Sequence, residues 1–208
     1  MSERWQVFKF GGTSVGTTGR LPKVLELIVA APRPLALVVS APGDTTDWLI
    51  LAAKSAAAGN ISQARRELAQ VRELASTIAR TVLNSQGQKG LKHDLDEILT
   101  PVERLLSGIE LTRECSPRTL DSVIGVGERI SVALLARALT QRDVPAIPVD
   151  ARDFVVTDAT FGAATVDKAE TRKKFAAASA KWTGRVPIIT GFIGRTPDGQ
   201  TTTHGRNG

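Results

Sequence analysis

Lys9-Phe10-Gly11-Gly12-Thr13-Ser14-Val15-Gly16 is the stretch of this chain best equipped for chemistry. It lies between an apolar run, Trp5 to Phe8, and an amphipathic segment, Leu21 to Ala30, an order that reads as strand, glycine turn and helix. Bare glycines let an anion come close to the backbone, turn N–H groups point at it, and a helix start favours negative charge. Lys9 adds a full positive charge. The chemistry this implies is phosphate binding. Gly11 to Gly16 has the G-x-x-x-x-G spacing of a Walker loop, but Thr17 stands where that loop carries lysine, and Lys9 precedes the glycines. The loop therefore does not wrap a phosphate chain in the Walker manner. A tight connection between strand and helix with no ligand would use the same glycines.

The whole chain narrows the partners. It has 208 residues, 42% of them hydrophobic, enough for a sizeable core in one domain or slightly more. The net charge of +6 comes from basic residues interleaved with acids, as in Arg65-Arg66-Glu67 and Arg72-Glu73, and aromatic residues make up only 4%. That pattern fits a solvated basic surface with a mild preference for anionic ligands, and not a nucleic-acid partner. No apolar run reaches membrane-spanning length and no apolar segment follows the N-terminal residues, so neither a membrane partner nor a secretory signal is expected. The single cysteine, Cys115, excludes an internal disulfide framework and fits a reducing, cytoplasmic setting. His93, on the polar side of a helix, and His204, in a loop, receive no catalytic role. No carboxylate cluster makes a protein-built metal site.

The elements that must position the glycine loop alternate between strand and helix. Leu35 to Val39 reads as a second strand, ending in Ser40-Ala41-Pro42-Gly43. Thr45 to Ala58 reads as a helix stopped by Gly59-Asn60, and Ser62 to Leu83 as a helix with one buried stripe. Gln86 to Gly90 reads as a polar break. Leu91 to Ile109 then resumes the helical period, weakened at Pro101, so about 61–113 forms an antiparallel helical hairpin inserted in the domain. Arg118 to Arg142 reads as one helix despite Gly125 and Gly127, each of which costs about 1 kcal/mol relative to alanine unless a close contact compensates. Pro145 to Val149 and Phe154 to Thr157 read as short strands, Val166 to Lys181 as a helix, and Val186 to Thr190 as a strand. Thr196-Pro197-Asp198-Gly199 has turn chemistry, and Gly199 to Gly208 reads as a second glycine-, threonine- and arginine-rich loop. The expected fold is α/β, a mostly parallel sheet with helices on both faces in three layers.

Four segments, in order, carry a resemblance to a known family. Lys9-Phe10-Gly11-Gly12-Thr13-Ser14 resembles the opening signature of the aspartokinases, within the amino-acid kinase superfamily. Val38-Val39-Ser40-Ala41 with Thr45-Thr46-Asp47 resembles their second loop. Gly127-Glu128-Arg129-Ile130-Ser131 resembles their substrate-binding helix. Gly191-Phe192-Ile193-Gly194, followed by Thr201-Thr202-Thr203 and Gly205-Arg206, resembles their substrate loop. His204 replaces a leucine and Asn207 a glycine of that last motif, and the chain stops before the motif's Ser-Asp pair. The expectation is an amino-terminal part of a kinase domain, 1–208, with the nucleotide half and the ACT domains absent and little activity of its own. Such a part would also expose apolar surface and self-associate as a homo-oligomer.

The resemblance implies transfer of the ATP γ-phosphoryl group to the side-chain carboxylate of L-aspartate, giving 4-phospho-aspartate, the first step toward lysine, threonine and methionine. The nucleophile is already ionised, with a reference pKa of about 3.9, so no general base is needed. The difficulty is that an anion must attack a polyanion, and the catalyst must neutralise charge and align the two. By resemblance Lys9 would be the catalytic cation, and Lys9, Gly11, Gly12 and Ser14 would bind the phosphates or nucleotide. Ser40, Thr46, Glu128 and Arg206 would bind substrate, Glu128 at the α-ammonium and Arg206 at the α-carboxylate. Magnesium would arrive with ATP, held largely by phosphates and water. A kinase of another amino acid (glutamate or acetylglutamate) or of UMP, and a non-catalytic remnant or binding fragment, stand as alternatives.

Overall fold

The computed structural model describes residues 4–205. Its centre is a sheet of four parallel strands in the order β1-β2-β4-β3, with β1 at Gln6–Phe10, β2 at Leu35–Val39, β3 at Ala146–Val149 and β4 at Val186–Thr190. β2 and β4 are the inner strands and both read as near-continuous apolar runs, as strands covered on two sides must. β1 reaches two residues beyond the expected Phe8, because Lys9 and Phe10 stay in register with Val38 and Val39.

Helices build the layer on one face. A single turn, α1 (Gly12–Val15), leads to α2 (Leu21–Ala30), whose buried Leu21, Val24, Leu25 and Ile28 follow the helical period. α3 (Thr45–Ala57) packs against α4 (Ile61–Val82). α4 and α5 (Ser85–Thr112) form the expected hairpin, joined through Leu83 and Asn84. Each helix starts on an asparagine cap: Asn60 accepts from the Gln63 N–H at 3.0 Å and Asn84 from the Gly87 N–H at 2.9 Å. Leu68, Val71, Ile78, Leu91, Leu95 and Leu99 belong to the same apolar cluster as Leu35, Leu37, Val39, Val186 and Ile188 of the sheet, so the hairpin shares the main core.

Four expectations need correction. Gln86 to Gly90 is the opening of α5, not a break. Its glycines leave room for side chains of a neighbouring helix: a Cβ on Gly87 would strike the Gln141 amide, and one on Gly90 the Arg137 guanidinium. The rest of α5 is the expected helix, with Pro101 inside it. The Arg118–Arg142 segment is two helices, α6 (Pro117–Ile124) and α7 (Val126–Thr140), meeting at Gly125. Phe154 to Thr157 is not a strand: after a 3₁₀ turn at Ala151–Asp153 it makes isolated bridges only, Val156 to Arg195 and Thr157 to Val166. The threonine-rich ending contains a strand, β6 (Thr201–Thr203), paired antiparallel with β5 (Ile193–Arg195) around the 196–199 turn.

The opposite face carries less. α8 (Lys168–Ser179) and a 3₁₀ turn at Ala180–Trp182 cover β3 and β4 through a second apolar cluster containing Val149, Phe154, Trp182 and Ile189. Phe154, Phe175 and Trp182 meet edge to face, with ring centroids 5.3 to 5.9 Å apart. Toward β1 the same face is an open apolar groove of about 700 Å³ lined by Trp5, Val7, Ala36, Val38 and Phe192 among others. The fold is thus the α/β sheet with helices on both faces, unequally shared. No described helix is long and apolar enough to cross a membrane.

Candidate active site

In parallel strands all carboxyl ends lie at one edge, and ligands of open α/β sheets bind outside that edge. Here the edge gathers the loops after β1, β2 and β4. Backbone bonds knit them together: Ser40 N–H to Phe10 O at 3.1 Å, Gly43 N–H to Gly12 O at 3.1 Å and Gly191 N–H to Val39 O at 2.8 Å. Two glycines of the first loop are demanded by this contact. A Cβ on Gly12 would lie 2.6 Å from the Ala41 carbonyl oxygen, and one on Gly16 would strike the Gly43 backbone. Gly11 is different: among the described residues the only heavy atom near its Cβ position is Lys9 Nζ, at 4.0 Å.

The first turn of α7 enters from the closed side. Gly127 lets it approach so tightly that an added Cβ would sit 2.6 Å from that of Ala41. The close contact that offsets a glycine near a helix start is therefore with the loop after β2. Glu128 Oε1 accepts the Ala41 N–H at 3.0 Å, and Ser131 Oγ donates to the Ser40 carbonyl at 2.7 Å. The helix thus grips the Ser40-Ala41 peptide on both sides. Glu128 is 2% exposed, and among the described residues its Oε2 has no hydrogen-bond partner. Burial pushes its carboxyl up to about 7, partly opposed by the Ala41 N–H bond.

The structure therefore brings Lys9, Gly11, Gly12, Ser40 and Glu128 to one edge of the sheet. Lys9 leaves β1 on the open face, beside Val38, and its amine turns toward Gly11. Glu128 arrives from the closed face, and Ala41 is touched both by Gly12 and by Glu128. Ser14 lies half-buried in α1 and Thr46 is the second residue of α3. It is Thr45, fully buried, whose hydroxyl closes the turn by donating to Pro42 O at 2.6 Å. Arg206 lies outside the described residues. His204 Nδ1 stands 3.1 Å from the Ala164 carbonyl oxygen. Neither the 700 Å³ apolar groove nor a 710 Å³ groove between α5, α7 and β3 is lined by Lys9, Ser40, Thr46 or Glu128.

Two further features near this edge carry no local signal in the sequence. Phe192 holds φ at 64°, a left-handed conformation costly for a bulky residue, immediately after Gly191 at the strand end. Asp150 lies between two arginines: Arg152 Nη2 at 2.6 Å and Arg129 Nε at 3.7 Å. Burial alone would raise the Asp150 carboxyl, but the Arg152 hydrogen bonds and the two positive charges outweigh it and hold it below the usual range. Arg152 then reaches Thr201 Oγ1 at 3.0 Å, tying this group to β6.

The carboxyl edge of this parallel sheet bears a lysine–glycine loop packed on the loop after β2, which a buried glutamate grips in turn, and the sequence profile described as "Amino acid kinase family" matches residues 4–208. The chain belongs to the amino acid kinase family. It is 35% identical to aspartokinase 1, chloroplastic, of Arabidopsis thaliana, over 97% of this chain and 36% of that protein. To the aspartokinase of Chlamydia muridarum it is 27% identical, over 97% of this chain and 42% of the relative. Among solved structures, E. coli aspartokinase III in complex with aspartate and ADP (R-state) superimposes with a TM-score of 0.89 at 26% identity, over 99% of this chain and 44% of that one. The chain thus spans less than half the length of each.

Proposed function

We propose that this chain forms the substrate- and phosphate-binding part of an aspartate kinase. The observation that carries the reading is Glu128: a buried carboxylate with one oxygen committed to the Ala41 N–H and the other unpartnered. A buried charge needs a partner, and a primary ammonium supplies one. The E. coli relative of known structure carries aspartate and ADP, and aspartate has that ammonium.

In this reading the β-carboxylate oxygen of aspartate attacks the γ-phosphorus of ATP, a P–O bond to the substrate's carboxylate forms, and the bond to the β-phosphate oxygen breaks to release ADP. No proton is removed, since the nucleophile is ionised. Glu128 fixes the ammonium, Ser40 and Thr46 contact the substrate, and Arg206 holds the α-carboxylate. Lys9, with the turn amides at Gly11 and Gly12 and with Ser14, offsets the charge spreading over the phosphoryl oxygens. Lys9 and Glu128 rise from opposite faces to a shared edge, which suits two anionic reactants that must meet while held apart until aligned. Magnesium would arrive with ATP, held largely by the phosphates and water in this scheme. The hairpin at about 61–113 is an elaboration of the closed layer. A cytoplasmic setting is part of the proposal, supported by the one free cysteine, Cys115.

Calorimetric titration with L-aspartate tests the reading. Saturable binding is expected, weakened at least about tenfold in Glu128→Gln, with L-glutamate binding more weakly. A coupled assay for ADP release that needs both aspartate and ATP identifies the reaction. Equal binding by wild type and Glu128→Gln would remove the carrying observation.

A further inference from the structure

Asp121 is as deeply buried as Glu128, at 1% exposure, but its situation is the reverse. Both of its oxygens are committed. Oδ2 accepts the Gly162 N–H at 2.9 Å and the Thr203 N–H at 3.0 Å, and Oδ1 accepts the Thr203 hydroxyl at 2.8 Å. One side chain of α6 therefore holds two other pieces of the molecule. The first is β6, the threonine strand that pairs with β5 and so continues from Gly191-Phe192 at the edge of the sheet. The second is the 158–165 loop, which is bound to β6 in its own right through Ala164 N–H to Thr203 O at 2.8 Å.

The place of α6 gives this clamp its meaning. α6 ends at Gly125, where an added Cβ would lie 3.2 Å from Ile193 Cγ2 and from Thr201 Cγ2, so the β5–β6 hairpin rests on the helix junction itself. The next helix turn carries Gly127 and Glu128. Asp121 thus registers the hairpin after β4 against the helix whose first turn grips the loop after β2. Three charge-assisted bonds from neutral donors make a stiff, directional connection, and a buried carboxylate tolerates no loss of those donors. A side chain needed only to fill this space would be apolar.

We propose that Asp121 is a positioning residue: it locks the threonine hairpin and the 158–165 loop onto the helix pair that carries Glu128, and thereby sets the affinity for the acidic substrate without touching it. The second half of this statement rests on the aspartate reading above; the first does not. The two variants that separate them are Asp121→Ala, which deletes every acceptor, and Asp121→Asn, whose single carbonyl oxygen can keep both N–H bonds while the Thr203 hydroxyl turns to accept from the amide.

Amide hydrogen exchange followed by mass spectrometry, together with aspartate titration, tests it on the full chain. In Asp121→Ala, exchange is expected to accelerate in segments 157–165 and 196–205 and to stay unchanged in β1 and β2, with aspartate affinity down at least about tenfold. Asp121→Asn should rescue both, to within about threefold of wild type. Unchanged exchange in Asp121→Ala overturns the clamp. Faster exchange with unchanged affinity overturns the positioning role and leaves a structural one. Absence of aspartate binding in wild type, with exchange behaving as expected, sinks the substrate reading and leaves the clamp standing. Should Asp121→Ala not fold, Thr203→Val removes only the hydroxyl bond; faster exchange in the same two segments supports the clamp, and wild-type exchange overturns it.

Discussion

Beneath the helical layer, Leu35, Leu37, Val39, Val186 and Ile188 are at most 2% exposed, whereas Val7, on the other face of the same sheet, is 62% exposed. The closed face is covered by α2 to α7 in one continuous core; among the described residues the far face is covered only where α8 and the Phe154–Phe175–Trp182 group lie over β3 and β4. Parallel sheets ordinarily bury both faces, and β2 has the all-apolar sequence of a strand made for that. The difference separates two jobs. The closed face supplies the folding energy, while the edge between the two faces holds side chains whose charges are not satisfied within the core. Lys9 reaches that edge from the open face and Glu128 from the closed one.

The largest expected effect breaks the closed face. Leu37→Ala, at a fully buried position, should cost about 3–5 kcal/mol in urea unfolding, the transfer and cavity cost of a core leucine. A cost near zero would mean that the helical layer is not the stabilising one.

Next in size is the cost of Glu128 itself. Its carboxyl titrates at about 7 when folded, against an ordinary value of 4.5, so between those pH values the folded chain keeps a proton that the unfolded chain has lost. The contribution is fully favourable below about pH 4.5, declines as pH rises and is gone above about pH 7, a span of about 3 kcal/mol. Glu128→Gln removes this slope. It should match wild type near pH 4 and exceed it by up to about 3 kcal/mol at pH 8, while binding aspartate less well. Parallel stability profiles for the two proteins from pH 5 to pH 8 would show that the carboxylate is not paying a desolvation cost.

The same contrast explains what sequence could reveal. α2, β2 and β4 were legible to the residue, as Leu21 to Ala30, Leu35 to Val39 and Val186 to Thr190, because apolar pattern and turn residues bound them locally. The errors fell where a distant side chain decides. Gly87 and Gly90 look like a break, but they make room for Gln141 and Arg137 from α7. Thr201 to Thr203 looks like a polar loop and becomes a strand because β5 and Asp121 take up its backbone and hydroxyl groups. In the candidate site the lysine–glycine loop and Glu128 were marked by motif. The tight packing of Gly12 and Gly127 on Ala41 was not, since it depends on two loops and a helix that meet only in the folded chain. Asp121 carried no signal at all: an acid within a helix resembles any solvated one.

The smallest effect sharpens the comparison from the open side. Val7 lines the apolar groove with Trp5, Ala36 and Val38 and loses little water contact on folding. Val7→Thr keeps the β-branched shape that suits an edge strand and replaces a methyl by a hydroxyl that remains solvated. Unfolding stability should therefore stay within about 0.5 kcal/mol of wild type, as for exposed positions generally. The fluorescence of an apolar dye such as ANS, which reports accessible hydrophobic surface, should fall, because the groove loses part of its wall. A stability loss comparable with that of Leu37→Ala would mean that Val7 is covered in solution, and the two faces would then be equally closed.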